Sequence, residues 1–291
     1  MKIGINVGFA LRAYDDYDDA FKLVKEAGFE CVDFPLSDFY RKVNNVFAYE
    51  TDEFLDFFKK IKESLDRNGL AVCQTHAPFG LDREENFFTE EYESLIVSGI
   101  VASNILNAPY MVVHPIRMGC RYNFNRKKAF DLNRRQLLKF IPYLEEYKVK
   151  IALENMYIDD PLRKSFFVST LFSDAEETNE MIELLGDNFV ACLDTGHAMI
   201  SSGEPIYDMT KKLGKNLKVL HINDNNAILD DHNTPYSGKI DWKGFTKALK
   251  EIGYEGVLNF ELVIKDPVEF LPHKLKYIYE LGKFLAEEIK S

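Results

Sequence analysis

The chain lacks the marks of several protein classes. Only four of its 291 residues are cysteine, and no Cys-x-x-Cys pair occurs. That argues against a disulfide framework, a zinc knuckle and a thioredoxin-type motif. Cys31, Cys73 and Cys192 lie in apolar, strand-like runs, and together with Cys120 they read as reduced cysteines. No run reaches the roughly 18 apolar residues of a membrane span. The opening stretch MKIGINVGFAL is broken by Asn6 and has no small-residue cleavage site, so it reads as a strand rather than a secretion signal. There is no G-x-G-x-x-G, no G-x-x-x-x-G-K and no G-x-S-x-G, which removes the usual phosphate loops and the nucleophile elbow. Basic residues are outnumbered, 36 Lys and Arg against 47 Asp and Glu, for a formal net charge of -11. Such a surface repels nucleic acid and anionic lipid at long range, although clustered metal ions can reverse the field inside a pocket. The expectation is a cytoplasmic protein with no membrane or nucleic-acid partner, leaving a homo-oligomer open.

Strand and helix signals alternate from end to end. Strands are expected over residues 2–7, 29–34, 70–76, 110–114, 150–154, 189–194, 217–222 and 256–262. Helices are expected over 16–27, from Thr51 or Asp52 with Phe54, Leu55, Phe58, Ile61 and Leu65 on one face, then over 90–106, 126–147, 174–185 and 205–213. Two more begin at Asp241 and at Asp266-Pro267. The strands are near-continuous apolar runs, as in parallel strands buried on both faces. Eight strand–helix units predict an α/β fold, a single (β/α)8 TIM barrel with residues 1–291 as one domain, because such a barrel takes about 250 residues.

Histidine is scarce too, at six residues, yet five of them fall where strands end. Nine residues that suit metal ions share these places: His76, His114, Glu154, Asp194, His197, His221, Asp230, His232 and Glu261. Their settings read THAP, VVHP, ALEN, CLDTGH, LHIND, DDH and NFEL. Separate strand ends converge only on the C-terminal face of a closed barrel. Glu154, Asp194, His221 and Glu261 come from four successive strands and form an oxygen-rich set with one imidazole. Such a set suits one hard or borderline divalent ion, with Mn²⁺ or Mg²⁺ favoured. His197, three residues after Asp194, points to a second ion or a substrate oxygen. Asp230 and His232 have the spacing that turns two side chains the same way in an extended loop. Taken singly, each of these is more often a turn cap, a core histidine or a solvated polar residue. The long polar loop 223–240 reads as functional. Phe87-Phe88 and Phe166-Phe167 read as core or as pocket wall. Asp15, Asp16, Asp18 and Asp19 read as a solvated helix start. The basic concentration Arg117, Arg121, Arg126, Lys127 and Lys128 reads as a helix start or an anion site.

The segments Leu153-Glu154-Asn155, Leu193-Asp194-Thr195-Gly196-His197, His221 with Asp224-Asn225, Ile240-Asp241-Trp242 and Glu261 resemble the xylose isomerase-like TIM-barrel superfamily, over essentially the whole chain. The resemblance implies a sugar isomerase or epimerase with a small carbohydrate substrate. It implies one divalent ion, Mn²⁺ first and Mg²⁺, Co²⁺ or Zn²⁺ as alternatives, held at Glu154, Asp194, His221 and Glu261. Glu154 and Glu261 would also serve as acid and base, and His197 would bind a substrate oxygen. The deoxyribonuclease IV branch is similar as well, and there all nine positions would hold three zinc ions. Asn225-Asn226-Ala227 stands where ketose 3-epimerases carry an arginine. Pro235-Tyr236-Ser237-Gly238 replaces the Pro-Gly-Glu-Gly of the sugar branch. A phosphodiesterase and a non-catalytic sugar-binding barrel are the alternative readings.

Overall fold

Ten strands follow in chain order: β1 (Ile3–Asn6), β2 (Cys31–Pro35), β3 (Ala71–His76), β4 (Tyr110–Val113), β5 (Lys150–Glu154), β6 (Tyr157–Asp159), β7 (Phe167–Ser169), β8 (Phe189–Asp194), β9 (Leu217–His221) and β10 (Leu258–Phe260). They come from a computed structural model that describes residues 1–37, 49–79, 82–118, 125–160, 162–163 and 166–291. Cys120 and Arg121 lie outside the described residues. Eight strands make one sheet in the order β10-β1-β2-β3-β4-β5-β8-β9, and each neighbouring pair is parallel. Ile222, just past β9, joins the two ends. It donates its N–H to Asn259 O at 2.8 Å and accepts from Glu261 N at 3.2 Å. The ring of hydrogen bonds makes a (β/α)8 barrel.

The local chemistry explains the elements. All six residues of β8 are buried, as expected of a strand covered on both faces. The Thr51 side chain accepts from Phe54 N and starts the helix Asp52–Arg67, which buries Phe54, Phe58, Ile61 and Leu65. Asp16 caps Tyr17–Ala27 in the same way, and Asp241 caps Trp242–Glu251; each side chain satisfies an N–H that has no partner within the helix. Between barrel and helices lie Phe21, Phe29, Phe34, Phe54, Phe58, Phe189, Phe245 and Phe260, all fully buried. A smaller apolar group, Val112, Ala152, Val190, Cys192 and Val219 with Tyr110 beside it, comes from four adjacent strands, β4, β5, β8 and β9. No helix among the described residues is long and apolar enough to cross a membrane.

Several expected boundaries change. The stretch 126–147 is two helices, Arg126–Leu138 and Ile141–Tyr147, because Pro142 has no N–H for a continuous helix and its ring clashes with the carbonyl four residues back. Short helical segments at Gly8–Ala13, Thr195–His197 and Ala198–Ser202 stand where loops were expected. β6 and β7 form an antiparallel hairpin that no periodicity announced. The last helix starts at Leu271, after a 3₁₀ turn at Val268–Phe270.

Candidate functional site

The strand ends set the positions of the side chains. β3 closes on His76, β5 on Glu154, β8 on Asp194 and β9 on His221; His114 directly follows β4, and Glu261 follows β10. His197 comes from the turn after β8, and Asp230 and His232 from the loop after β9. All nine expected residues therefore meet at one end of the barrel. Seven of them line a cleft of about 370 Å³, with Phe79, Asp82, Arg83, Arg117, Met156 and Tyr157 around them. Asp194 and His221 are fully buried at its base.

Glu154 is the hub. Its Oε2 lies 3.2 Å from His76 Nε2 and 3.1 Å from His114 Nε2, and its Oε1 lies 2.8 Å from His221 Nδ1. The Glu261 carboxylate approaches the same His221 nitrogen to 3.3 Å. Asp230 Oδ2 stands 3.1 Å from His232 Nε2 and 3.5 Å from His197 Nε2. Three overlapping sets, each with donor atoms within 4.8 Å of one another, follow: His76, Glu154 and His221; Glu154, Asp194, His221 and Glu261; Asp194, His197 and His232.

The ring orientations test whether a cation suits this site. His76, His197 and His232 each donate Nδ1–H to a main-chain carbonyl, of Ala77, Asn155 and Glu261 respectively, all at 2.9 Å. That leaves the Nε2 lone pair of each ring facing a carboxylate oxygen. A lone pair and an anion repel, so such an arrangement is stable only with a proton or a metal ion between them. Asp230 Oδ1 is also buried with no hydrogen-bond partner. The donors therefore suit a divalent ion. Without one, protons take its place. Burial alone would lower His114, but Glu154 and Asp82 raise it to about 9. Burial likewise opposes the rise of His197, which Asp194 and Asp230 bring to about 9. Glu154 is held well below the usual carboxylate range, against its burial, by His221 and His114. Burial pushes Asp194 up.

A polar scaffold fixes these groups. Asp194 N donates to Asn155 Oδ1 at 2.7 Å, and Asn155 Nδ2 returns a 2.9 Å bond to Asp194 O. Asn223 Nδ2 donates to Asp194 Oδ2 at 2.7 Å. Gly196 is required here, because a Cβ on it would lie 2.0 Å from Asn223 Oδ1. The loop after β9 winds around the buried Asp224 carboxylate, which accepts from Gly238 N, Ile240 N and Trp242 Nε1.

The other expected features are mostly spent elsewhere. Arg117 reaches the cleft but pairs with Asp82 at 2.8 Å. Arg126, Lys127 and Lys128 pair with Glu177, Asp131 and Glu84. Phe167 packs on Tyr157 behind the cleft, with ring centroids 4.3 Å apart. Sequence reasoning missed Asp33, Asp82 and Tyr157. Asp33 carried a signal, a lone charge inside the apolar run of β2. Asp82 lies in an irregular segment and Tyr157 in a three-residue strand, and neither carried one.

A family model for the xylose isomerase-like TIM barrel matches residues 21–283. The chain belongs to that family. An uncharacterized protein of Methanocaldococcus jannaschii is 27% identical over 240 residues, 80% of this chain and 78% of that protein. A probable endonuclease 4 of Mycoplasmopsis synoviae is 24% identical over 254 residues, 82% of each chain. Among solved structures, a D-psicose 3-epimerase determined in the presence of D-fructose superposes with a TM-score of 0.74, at 13% identity, over 98% of this chain and 99% of that one. At that identity the likeness concerns the fold.

Proposed function

We propose that this chain is a divalent-metal-dependent isomerase or epimerase of a sugar or polyol-derived ketone. The placement of Glu154 and Glu261 carries the reading. Their carboxylates come from opposite sides of β9 and meet one His221 nitrogen at 2.8 and 3.3 Å. They do so at the base of a cleft whose 370 Å³ falls in the small-molecule range of roughly 300–1,000 Å³. Glu154, Asp194, His221 and Glu261 would hold the ion, with Mn²⁺ favoured by the oxygen-rich set. When bound, the ion supplies positive charge for the two substrate oxygens that share the charge of an enediolate. One glutamate removes the proton from the carbon beside the carbonyl. The other returns it to the opposite face, which epimerises, or to the neighbouring carbon, which isomerises. His197 offers Nε2 to a substrate hydroxyl. The likeness to a D-psicose 3-epimerase supports the same class. Turnover of a sugar panel in deuterated water tests the reading. Solvent deuterium should enter beside the carbonyl of any substrate that turns over, and turnover without it would reject the enediolate.

One observation favours a second reading, a phosphodiesterase of the deoxyribonuclease IV type. Both oxygens of Glu154 are engaged on different imidazoles, as in a carboxylate bridging two ions, and Asp230 lies between two more rings. The resemblance to a probable endonuclease 4 points the same way. Metal content decides: three ions support phosphodiester cleavage, in which clustered metals clamp the attacking and leaving oxygens, and one ion supports the sugar reaction.

A further inference from the structure

Of the five imidazoles in the site, His221 brings its Nδ1 to 2.8 Å from Glu154 Oε1, whereas His197 Nδ1 stays 3.6 Å away and is spent on the Asn155 carbonyl. The His221 Nε2 points down into the barrel, where no main-chain carbonyl meets it and no partner lies at full hydrogen-bonding geometry. The nearest charged atom is Asp33 Oδ2 at 3.5 Å, and the Cys192 thiol adjoins the same ring. Asp33 is itself fully buried. Three carboxamides converge on its Oδ2: Asn6 Nδ2 at 3.2 Å, Gln74 Nε2 at 3.4 Å and Asn259 Nδ2 at 3.3 Å. They come from β1, β3 and β10, so the whole layer is a device for holding one carboxylate inside the barrel. Gln74 and Asn259 stand two residues before His76 and Glu261, which puts them on the same strand face, one layer below the site. A buried carboxylate without a counter-charge is costly. No Lys or Arg pairs with Asp33 among the described residues. The positive charge it faces is the imidazole and whatever cation the imidazole holds on its other side.

We propose that Asp33 is a positioning residue for the metal site: it keeps the His221 proton on Nε2 and so leaves the Nδ1 lone pair free for a divalent ion. The inference rests on the metal reading above. A carboxylate behind a ligating imidazole fixes its tautomer and orientation and makes it a stronger donor, and losing such a partner typically weakens metal binding about 10–100-fold. Asp33 faces the His221 ring on the side away from Glu154 and does not line the cleft.

The test uses Zn²⁺, which is diamagnetic, on the full chain. In wild type loaded with Zn²⁺, ¹⁵N NMR of the histidine rings should show His221 with a proton on Nε2 and metal on Nδ1. The reverse pattern overturns the proposal without any variant. Asp33→Asn keeps the shape and removes the charge. Its Zn²⁺ affinity, from competition with a chromophoric chelator, should fall about 10–100-fold, and in the loaded variant the His221 Nε2–H signal should shift because the facing group has lost its charge. Thr75→Val serves as a control for lost stability, because it removes a buried hydrogen bond to Ser103 on the outer face of β3. Equal weakening in this control overturns the proposal, as does wild-type affinity with an unchanged His221 Nε2–H signal in loaded Asp33→Asn. If wild type takes up no divalent ion, the metal reading itself fails, an outcome distinct from failure of Asp33 alone.

Discussion

Tyr157 donates its hydroxyl proton to Asp230 Oδ2 at 2.9 Å, which ties the β6–β7 hairpin to the loop after β9. Burial and the Asp230 charge both push the phenol pKa up, so it remains a donor at any working pH. The ring also meets His197 edge-on, with centroids 5.0 Å apart. Tyr157→Phe removes the bond and leaves the set Glu154, Asp194, His221 and Glu261 untouched. A hydrogen bond to a charged group contributes about 1.5–3 kcal/mol. Metal content should therefore stay at the wild-type value while kcat/KM falls about 10–100-fold. Elemental analysis beside kinetics checks this, and loss of metal along with activity would assign Asp230 to the ligands.

Ligation and proton transfer separate by substitution. Asp194→Asn and His221→Ala should lose the central ion and activity together. Glu154→Gln and Glu261→Gln keep one oxygen donor but remove the basic carboxylate. With metal resupplied, turnover should still fall about 10²–10⁴-fold. Glu154→Gln should be the worse of the two, because its carboxylate also balances His76 and His114. Wild-type turnover in both fully loaded Gln variants would remove them from the chemistry.

Metal uptake should release protons. His114 and His197 stand at about 9 without an ion, and His221 and His232 are raised well above the usual imidazole value, against burial, by neighbouring thiol and carboxylate groups. All four therefore carry a proton at pH 7 and must lose it to ligate. An ion in the central set frees one proton, from His221. Occupation of all nine positions frees as many as four. Affinity should fall as pH drops, roughly tenfold per unit for each proton displaced. For the metal-free protein the sign differs. A raised imidazole pKa stabilises the fold fully below its unfolded value near 6.5, and that contribution is lost as pH rises through about 9. Calorimetry in buffers of different ionisation enthalpy counts the protons, and an affinity that is flat between pH 6 and 9 would contradict the assignment.

The barrel was legible because a buried parallel strand is an unbroken apolar run, and a polar residue at its end stands out. Glu154, Asp194 and His221 could be found for that reason. Asp33, Gln74 and Asn259 obey the same period-two geometry but lie inside the runs, where a polar residue reads as an irregularity. Their meaning appears only when β1, β2, β3 and β10 are side by side. Tyr157 was hidden differently. The β6–β7 hairpin has three residues per strand, too few for a period to emerge. The division of the helix at Pro142 was readable locally and was overridden by the apolar spacing on either side.

Gly196 offers a test of how closely the site is packed. It lies between Asp194 and His197, and its missing side chain lets Asn223 come near enough to hold Asp194. A Cβ would also stand 3.0 Å from Asn225 Nδ2, and Asn225 Nδ2 donates to Gly196 O at 2.9 Å. Both neighbours are fully buried, so neither can swing into solvent. Gly196→Ala must therefore push Asn223 away from Asp194 Oδ2. Overpacking of this kind costs about 1–3 kcal/mol, which should appear as a lower unfolding midpoint. The larger effect should be on the metal, because Asp194 loses the bond that orients its second oxygen. The expected result is a folded protein with weakened metal binding and turnover that excess metal restores in part. Unchanged metal affinity in Gly196→Ala would mean that Asn223 does not orient Asp194.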